Sequence, residues 1–375
     1  MKEVGLYIHI PFCKQKCLYC DFNSYVCNDE IIQNYMDVLL MEIRMYIKEY
    51  SFKFKTVFIG GGTPTFIHYK HIEAIMKEIA PYIAEGAEIS MECNPGTVTE
   101  ESLIAYRNMG INRLSIGLQA WQSELQRKLG RIHDTEAFLR NFKQAVQAGF
   151  ANISVDLMFA LPDQTLGMWL ETVENAVKLG VKHISCYSLK VEEGTPFYML
   201  HQQNRLQLPE DELDREMYHS AIGILRKHGL EQYEISNFAI PGYECKHNLI
   251  YWRNEDYIGV GAGSHSKLEG VRFSNFKELG SYIYHIEEEG GYPIEEKTVI
   301  PPEEDMWESI ILALRLNSGL DIEAFNLKYQ TDFVNRYGEA LDKLMKNGLI
   351  AMDNKTLMLT QRGLDLSNSV FIEFL

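Results

Sequence analysis

The sequence contains no run of about 18 apolar residues, which is the length that a membrane-spanning helix requires. Its first 13 residues, MKEVGLYIHIPFC, have neither the apolar core nor the small-residue cleavage site of a secretory signal. Basic side chains are also scarce, since 36 Lys and Arg against 52 Asp and Glu give a formal charge of −16. So acidic a surface argues against binding the phosphate backbone of nucleic acids. We therefore expect a cytoplasmic protein without a transmembrane segment and without a nucleic-acid partner.

Cysteine is sparse and unevenly placed, which excludes a disulfide scaffold. Of seven cysteines, Cys13, Cys17 and Cys20 lie within eight residues, and the other four are scattered at Cys27, Cys93, Cys186 and Cys245. A structural zinc site normally needs four ligands, and no second Cys-x-x-Cys or His-x-x-x-His pair follows. The group therefore favours a three-thiolate iron–sulfur site, and a zinc-stabilised regulator is the alternative.

Short β-branched and aromatic runs alternate with stretches of helical period through the first 190 residues. The predicted strands are Leu6–Ile10, Thr56–Ile59, Glu88–Met91, Arg113–Leu118, Asn152–Leu157 and His183–Ser188. The predicted helices between them include Ile31–Tyr46, Ile72–Tyr82, Glu136–Ala148 and Met168–Leu179. This alternation indicates a parallel sheet with right-handed crossovers. Because six units are visible rather than eight, we predict an α/β fold with a partial (β/α)6 TIM-like barrel in preference to an open doubly wound sheet.

The remainder of the chain changes character. A long helix over Glu210–His228 precedes a Gly-rich and aromatic segment, Glu231–Val299, which we expect to be irregular, and Pro301–Pro302 marks a boundary. Three helices and a hairpin follow, which is typical of a small winged-helix-like α+β domain. Because this domain is acidic and has no basic recognition helix, we expect a packing or lid role. The predicted domains are a barrel over 1–232, a connecting segment over 233–300 and the C-terminal domain over 301–375.

Polar or otherwise unusual residues follow every predicted strand of the barrel. In order they are the three clustered cysteines, the GGGTPT stretch of Gly60–Thr65, the Glu92–Pro95 stretch, Gln119, Asp156, and the Tyr187–Lys190 stretch. Barrel enzymes assemble their chemistry at this carboxyl end of the strands. Glycines there let a ligand approach the backbone closely, and Glu92 suits paired ribose hydroxyls. Gln119, Arg131 and Asp156 form a second polar set, for which a buried Arg131–Asp156 ion pair is the structural alternative.

Three cysteine thiolates can hold a cluster of four irons and leave one iron without a protein ligand. An amino acid can chelate that iron through its amine and carboxylate. If the ligand is the methionine end of S-adenosylmethionine (SAM), an electron from the cluster can cleave the sulfonium and release an adenosyl radical.

Six motifs closely resemble those of the radical SAM family, in the branch that contains the anaerobic coproporphyrinogen III dehydrogenases (HemN) and the heme chaperones (HemW). They are YIHIPFCKQKCLYCDF, GGGTPT, ECNP, SIGLQ, LGRIH and DLMFALPDQT. The resemblance implies that Cys13, Cys17 and Cys20 bind a [4Fe–4S] cluster. It implies that Tyr7, Gly61 and Glu92 bind the SAM on the cluster. It also implies a second SAM site, whose matching residues here are Gly62, Thr63, Gln119, Arg131 and Asp156.

Two features separate the two kinds of protein in this branch. In the dehydrogenase, the cysteine motif continues as Cys-x-x-Cys-x-Cys after an N-terminal extension. Here Cys20 is followed by Asp21 and Phe22, and six residues precede Tyr7. The second feature is HNLIYW, residues 247–252, which resembles the HNxxYW motif of the heme chaperones. Both features favour the chaperone.

A heme site at this motif is chemically reasonable. The neutral imidazole of His247 can be an axial ligand of heme iron, and Tyr251 and Trp252 offer flat apolar surface to the macrocycle. Cys245 is an alternative soft ligand. The competing interpretation is that His247 caps a turn and the aromatic side chains join the core.

The resemblance thus implies a heme chaperone that delivers heme to apo-hemoproteins. Membrane-bound respiratory proteins are candidate acceptors, and the chaperone itself is a candidate homodimer. The alternatives are oxidative decarboxylation of coproporphyrinogen III and a radical methyltransferase on the same scaffold.

Overall fold

The computed structural model describes residues 2–375. Its centre is a run of six parallel strands that lie side by side in chain order. They are β1 (Lys2–Ile10), β2 (Phe52–Gly61), β3 (Ile83–Cys93), β4 (Arg113–Gln119), β5 (Asn152–Phe159) and β6 (His183–Ser188). This arrangement confirms the predicted α/β fold with a six-unit partial barrel, because each strand reaches its neighbour through one helical crossover.

Helices connect the strands and cover the outside of the sheet. They are α1 (Asp29–Glu49), α2 (Tyr69–Ile79), α3 (Glu100–Asn108), α4 (Ser123–Lys128), α5 (Thr135–Gln147), α6 (Leu166–Lys178), α7 (Pro196–Gln202) and α8 (Asp211–Lys227). The predicted helix over Ile72–Tyr82 is too long by three residues, because Pro81 cannot continue an α-helix and the chain tightens into a 3₁₀ turn there. Helix α3 was not predicted, although Thr99 and Ser102 form a capping box at its start.

The segment predicted to be irregular is in fact structured, so that expectation is wrong. Strands β7 (Glu231–Gln232) and β8 (Asn237–Ala239) extend the sheet beyond β6, and β9 (Tyr257–Val260) pairs in parallel with the other side of β1. Antiparallel strands complete a sheet of 12 strands; they are β10 (His265–Leu268), β11 (Val271–Asn275) and β12 (Ile294–Val299). These strands have two to six residues each, too few for a periodic pattern, and pairing with a distant strand stabilises them.

Helices α9 (Lys246–Trp252) and α10 (Leu279–Glu287) belong to the same segment. A buried carboxylate, Glu42 of α1, joins it to the barrel. Its oxygens accept hydrogen bonds from the Gly261 amide (2.8 Å), the Tyr282 hydroxyl (2.6 Å) and the Asn275 side-chain amide (2.7 Å). One side chain thus links a barrel helix to three parts of the added layer.

The C-terminal part is a small antiparallel α+β unit with its own hydrophobic cluster, as predicted. Its helices are α11 (Pro302–Ala313), α12 (Ile322–Tyr329), α13 (Phe333–Lys346), α14 (Gln361–Asp365) and α15 (Ser367–Phe371). Its three-stranded sheet contains β13 (Leu320–Asp321), β14 (Ile350–Met352) and β15 (Thr356–Leu359). Ion pairs between Lys267 and Asp305 (2.5 Å) and between Arg272 and Glu308 (2.7 Å) fasten α11 to the large sheet. Across residues 2–375, no helix is long and apolar enough to cross a bilayer.

Candidate functional site

A cavity of about 580 Å³ lies inside the partial barrel. It is lined by the cysteine loop after β1 and by side chains of β2 to β6. Ten of the twelve residues singled out from the sequence line it; they are Cys13, Cys17, Cys20, Gly61, Gly62, Thr63, Glu92, Gln119, Arg131 and Asp156. Tyr7 and His247 are not among the lining residues. The polar residues that follow different strands therefore do meet in one place.

The cysteine loop is held in place by backbone hydrogen bonds. The Cys13 amide donates to the Tyr25 carbonyl (3.0 Å), and the Leu18 amide donates to the Leu129 carbonyl (3.0 Å). Cys13 is buried, whereas Cys17 and Cys20 are partly exposed. Burial raises the pKa of Cys17, and it raises the pKa of Cys20 to about 11. Both thiols therefore stay protonated near neutral pH unless a metal centre stabilises their thiolates.

Gly62 approaches this loop closely. A Cβ atom on Gly62 would lie 2.8 Å from the Phe12 carbonyl oxygen and 3.0 Å from the Cys13 sulfur, so a side chain there would press on the loop. Within residues 2–375, no three His, Cys, Asp or Glu side chains surround one point where a single metal ion could sit. An iron–sulfur cubane has a different requirement, because each thiolate binds its own iron. Three thiols on one loop beside a glycine edge fit such a cluster.

Gly61 and Glu92 form a compact unit where β2 meets β3. The Gly61 amide donates to the Glu92 carboxylate (3.0 Å), and Gly61 has a φ of +119°, which favours glycine. A Cβ atom there would lie 2.7 Å from the His9 ring. Burial, and then the charge of Asp156, raise the pKa of Glu92 to about 8. The carboxyl is therefore largely protonated at pH 7, and it can both donate and accept hydrogen bonds to ligand hydroxyls.

Tyr7 lies behind the cavity wall, where His9 fixes its hydroxyl. The His9 Nε2–H donates to the Asn23 carbonyl (2.8 Å), so Nδ1 is the acceptor and the Tyr7 hydroxyl donates to it (2.8 Å). Burial lowers the pKa of His9, which keeps the ring neutral. Sequence reasoning did not single out His9. The signal was present, because residues 7 and 9 of a strand point to the same side.

Arg131 and Asp156 do not form the ion pair considered as an alternative. Arg131 donates to the Asn94 side-chain oxygen and to the Gly117 carbonyl, both at 2.7 Å. Both carboxylate oxygens of Asp156 lie 3.0 Å from the Ser115 hydroxyl, which donates to them. Each group is thus satisfied by neutral partners, and its remaining hydrogen-bonding capacity is available to a ligand.

Gln119 has the left-handed backbone conformation that few residues other than glycine adopt, with a φ of +68°. A Cβ atom on Gly117 would lie 2.9 Å from the Gln119 side-chain nitrogen. The end of β4 is therefore bent so that the Gln119 side chain turns back over its own strand at the cavity. Backbone strain of this kind is often found at functional sites.

The HNLIYW motif forms α9, and its histidine is buried. His247 is 1% exposed, its Nδ1 is hydrogen-bonded with the Thr56 hydroxyl (2.8 Å), and its Nε2 is hydrogen-bonded with the Tyr251 hydroxyl (2.9 Å). Burial lowers the pKa of His247 to about 3, so the ring is neutral. Trp252 lies under the guanidinium of Arg315. In this conformation the ring offers no free nitrogen to a metal, and the aromatic side chains pack inside the protein.

Comparisons with known proteins identify the family. The model described as "Radical SAM superfamily" matches residues 7–183, and the model described as "HemN C-terminal domain" matches residues 300–366. The chain belongs to the radical SAM superfamily. Membership implies a [4Fe–4S] cluster and SAM as cofactors.

The similar proteins include two named heme chaperone HemW. The protein from Bacillus subtilis is 39% identical over 98% of both chains, and the one from Lactococcus lactis is 34% identical over 100% of this chain and 98% of its own. Among solved structures, coproporphyrinogen III oxidase (HemN) from Escherichia coli matches with a TM-score of 0.86 at 25% identity, over 100% of this chain and 90% of that one.

Proposed function

We propose that the protein is a heme chaperone, which binds heme and delivers it to apo-hemoproteins while carrying a [4Fe–4S] cluster and SAM. The supporting observation is similarity at 34–39% identity, over nearly the whole chain, to proteins named heme chaperone HemW. The acceptors in this proposal are apo-hemoproteins, with membrane-bound respiratory ones as the first to test. A cytoplasmic location and a homodimer remain predictions from the sequence.

Cys13, Cys17 and Cys20 are the proposed cluster ligands, because all three line one cavity beside the glycine edge of β2. Tyr7, Gly61 and Glu92 are the proposed contacts of the SAM on the cluster. When bound, the cluster supplies an open iron for chelation and an electron for reductive chemistry. On the protein side, the protonated Glu92 can hydrogen-bond to ribose hydroxyls, and His9 holds the Tyr7 hydroxyl in one orientation.

A second SAM is the proposed ligand of the remaining polar set. Its members are Gly62, Thr63, Gln119, Arg131 and Asp156. The half-buried Arg131 can meet a carboxylate, and Asp156 can accept from ribose hydroxyls or an amine.

His247 is the proposed axial ligand of heme, with a condition that its surroundings impose. Its Nε2 becomes available after the hydrogen bond with Tyr251, a side chain of the same helix, breaks. Tyr251→Phe removes that bond without removing the ring. If His247 is the ligand, Y251F binds heme at least as tightly as the wild type, whereas His247→Ala weakens binding by tenfold or more.

Anaerobic reconstitution with iron and sulfide, followed by heme titration, tests the proposed function. A Soret shift that saturates at a fixed stoichiometry, and transfer of that heme to an apo-hemoprotein, are the expected results. Lys343→Met, on the outer C-terminal unit, is a control that is expected to match the wild type. Absence of a Soret shift in the reconstituted wild-type protein contradicts the proposal.

A second candidate function is oxidative decarboxylation of coproporphyrinogen III. The TM-score of 0.86 to coproporphyrinogen III oxidase favours it. The same reconstituted protein, given SAM, a reductant and coproporphyrinogen III, would then form protoporphyrinogen IX and consume SAM. Product formation without heme transfer would replace the chaperone proposal with this one.

A further inference from the structure

Arg113 at the start of β4 is a buried cation without a partner. It is 2% exposed, and its Nε atom has no hydrogen-bond partner. Within residues 2–375, no carboxylate oxygen lies within 4.0 Å of its guanidinium, and no protein atom accepts a hydrogen bond from it. Burial acts to lower the pKa of Arg113, but nearby charges, those of Glu88 and Asp156 among them, raise it overall. The cation is therefore compensated through space, whereas its N–H donors have no acceptor, which costs about 1–3 kcal/mol.

The guanidinium faces the cavity. Arg113 is one of the lining residues, together with Ser185 of β6 and Asn248 of α9. The other arginine of the lining, Arg131, has its hydrogen bonds to Asn94 and Gly117. Of the two arginines that line the cavity, Arg113 is therefore the one whose side-chain donors have no acceptor within the protein.

The position of Arg113 is deep. It lies six residues before Gln119 on β4, which at about 3.3 Å per residue places it roughly 20 Å below the carboxyl end of the strand. The residues singled out for the cluster and for SAM lie toward that carboxyl end. Arg113 thus forms the floor of the same cavity, two residues below the level of Glu92, which pairs with Ser115.

The acidic side chains near this floor already have other donors. One oxygen of Glu88 accepts from the Lys246 amide (3.1 Å) and the other from the His247 amide (3.2 Å). Asp156 accepts from Ser115. Because the pKa of Glu92 is raised to about 8, that carboxyl adds little negative charge at pH 7. An incoming anion is therefore not opposed by a free carboxylate in contact with Arg113.

We propose that Arg113 forms a carboxylate-binding subsite at the floor of the cavity. The planar guanidinium presents two parallel N–H donors that match the two oxygens of a carboxylate. Ser185 and Asn248 line the same cavity. The carboxylate belongs either to a propionate of heme, which rests on the proposed function, or to a small free carboxylic acid.

Sodium propionate is the direct probe. The melting temperature of the reconstituted full-length protein is measured in sodium propionate and in sodium chloride at equal ionic strength. The wild type is compared with Arg113→Gln and with the control Arg140→Gln, which changes an exposed arginine of α5. Propionate is expected to raise the melting temperature of the wild type and R140Q above the chloride value but not that of R113Q, because a ligand stabilises the state that binds it. Arg113→Lys keeps the charge but lacks the two parallel N–H donors, so propionate is expected to raise its melting temperature by less than that of the wild type. An equal response of the wild type and both Arg113 variants overturns the proposal.

Hemin and hemin dimethyl ester then distinguish the source of the carboxylate. If the subsite takes a heme propionate, the wild type binds hemin about tenfold or more tightly than the ester, and R113Q binds the two equally. Equal binding of hemin and ester by the wild type, with the propionate effect present, supports a subsite for a free carboxylic acid. Absence of heme binding in every variant contradicts the proposed function, and the propionate result still decides the subsite.

Discussion

At the scale of single residues, Glu42 is a carboxylic acid with no exposure to solvent. Burial raises its pKa from 4.5 to about 7. Between these values the folded chain binds more protons than the unfolded chain, so the free energy of unfolding falls as pH rises from 4.5 through 7. The loss attributable to Glu42 is on the order of 3 kcal/mol.

Glu42→Gln stays neutral, so its stability should fall less than that of the wild type over this pH range. Urea unfolding at pH 5, 6, 7 and 8 measures the difference, with Glu85→Gln on an exposed part of β3 as the control. A parallel decline in wild type and E42Q would show that Glu42 is not the titrating group.

Gly62 is the residue at which a single methyl group should matter most for the cluster. Gly62→Ala places a Cβ atom against Phe12 and Cys13, and we expect a loss of about 1–3 kcal/mol of stability together with a several-fold loss of bound iron and sulfide after reconstitution. Gly223→Ala is the matched control. It lies in α8 with nothing within 4 Å of the added methyl, so it should stabilise the protein by up to about 1 kcal/mol and keep the iron content. Normal iron content in G62A would contradict the close-approach argument.

At the scale of secondary-structure elements, α9 depends on one carboxylate. Glu88 accepts hydrogen bonds from the first two amides of this helix, Lys246 and His247. Glu88→Ala removes the acceptor of both amides, and the His247 amide is then buried without a partner. We expect a loss of about 1–3 kcal/mol and faster hydrogen exchange in α9. Glu88→Gln keeps one acceptor, so its stability and its exchange rate in α9 should lie between those of the wild type and Glu88→Ala. Unchanged exchange in α9 of E88A would show that packing alone holds the helix.

The elements that could be predicted are those with a long periodic pattern. Strand β6 has the predicted bounds, His183–Ser188, and the barrel helices that were predicted begin and end within a few residues of their expected bounds. Strands β9 to β12 escaped prediction because four to six residues carry too little pattern. They join the sheet through β9, whose partner β1 lies more than 200 residues away in sequence. Local sequence does not encode that distance.

The candidate site could also be predicted only in part. The rule that parallel strands end together brought Cys13, Glu92 and Asp156 to one cavity. The floor was missed, although Arg113 and Ser115 alternate along β4 with apolar residues that face outward. An inward polar face on a barrel strand is itself a signal of a hollow interior. The burial of His247 could not be read from HNLIYW, because its partner Thr56 lies on a distant strand.

At the scale of the whole molecule, the small unit is fastened to the large sheet by the Lys267–Asp305 pair. Burial acts to raise the pKa of Asp305, but hydrogen bonds from Lys267 and Tyr329 and the charge of Lys328 lower it overall to about 2. The pair therefore contributes stability above pH 4, and the contribution is lost as pH falls toward 2.

Lys267→Met breaks this pair and leaves the half-buried Asp305 with Lys328 and Tyr329 as its partners. We therefore expect a loss of about 1.5–3 kcal/mol, measured by chemical unfolding at pH 7. Lys343→Met, which removes an exposed pair with Glu373, should cost less than about 1 kcal/mol. Equal losses in the two variants would show that the joint depends on apolar contacts instead.

The pairing of β1 has a consequence for synthesis. Strand β1 ends at Ile10, and one of its two neighbours, β9, begins at Tyr257. About 250 residues must be translated in between, which at 5–20 residues per second takes roughly 12 to 50 s. Throughout that interval one row of backbone amides and carbonyls on the nascent chain stays open to other strands. Newly made protein should therefore be most prone to aggregation before its second half emerges, and translation pauses in that window should lower the yield of soluble chains.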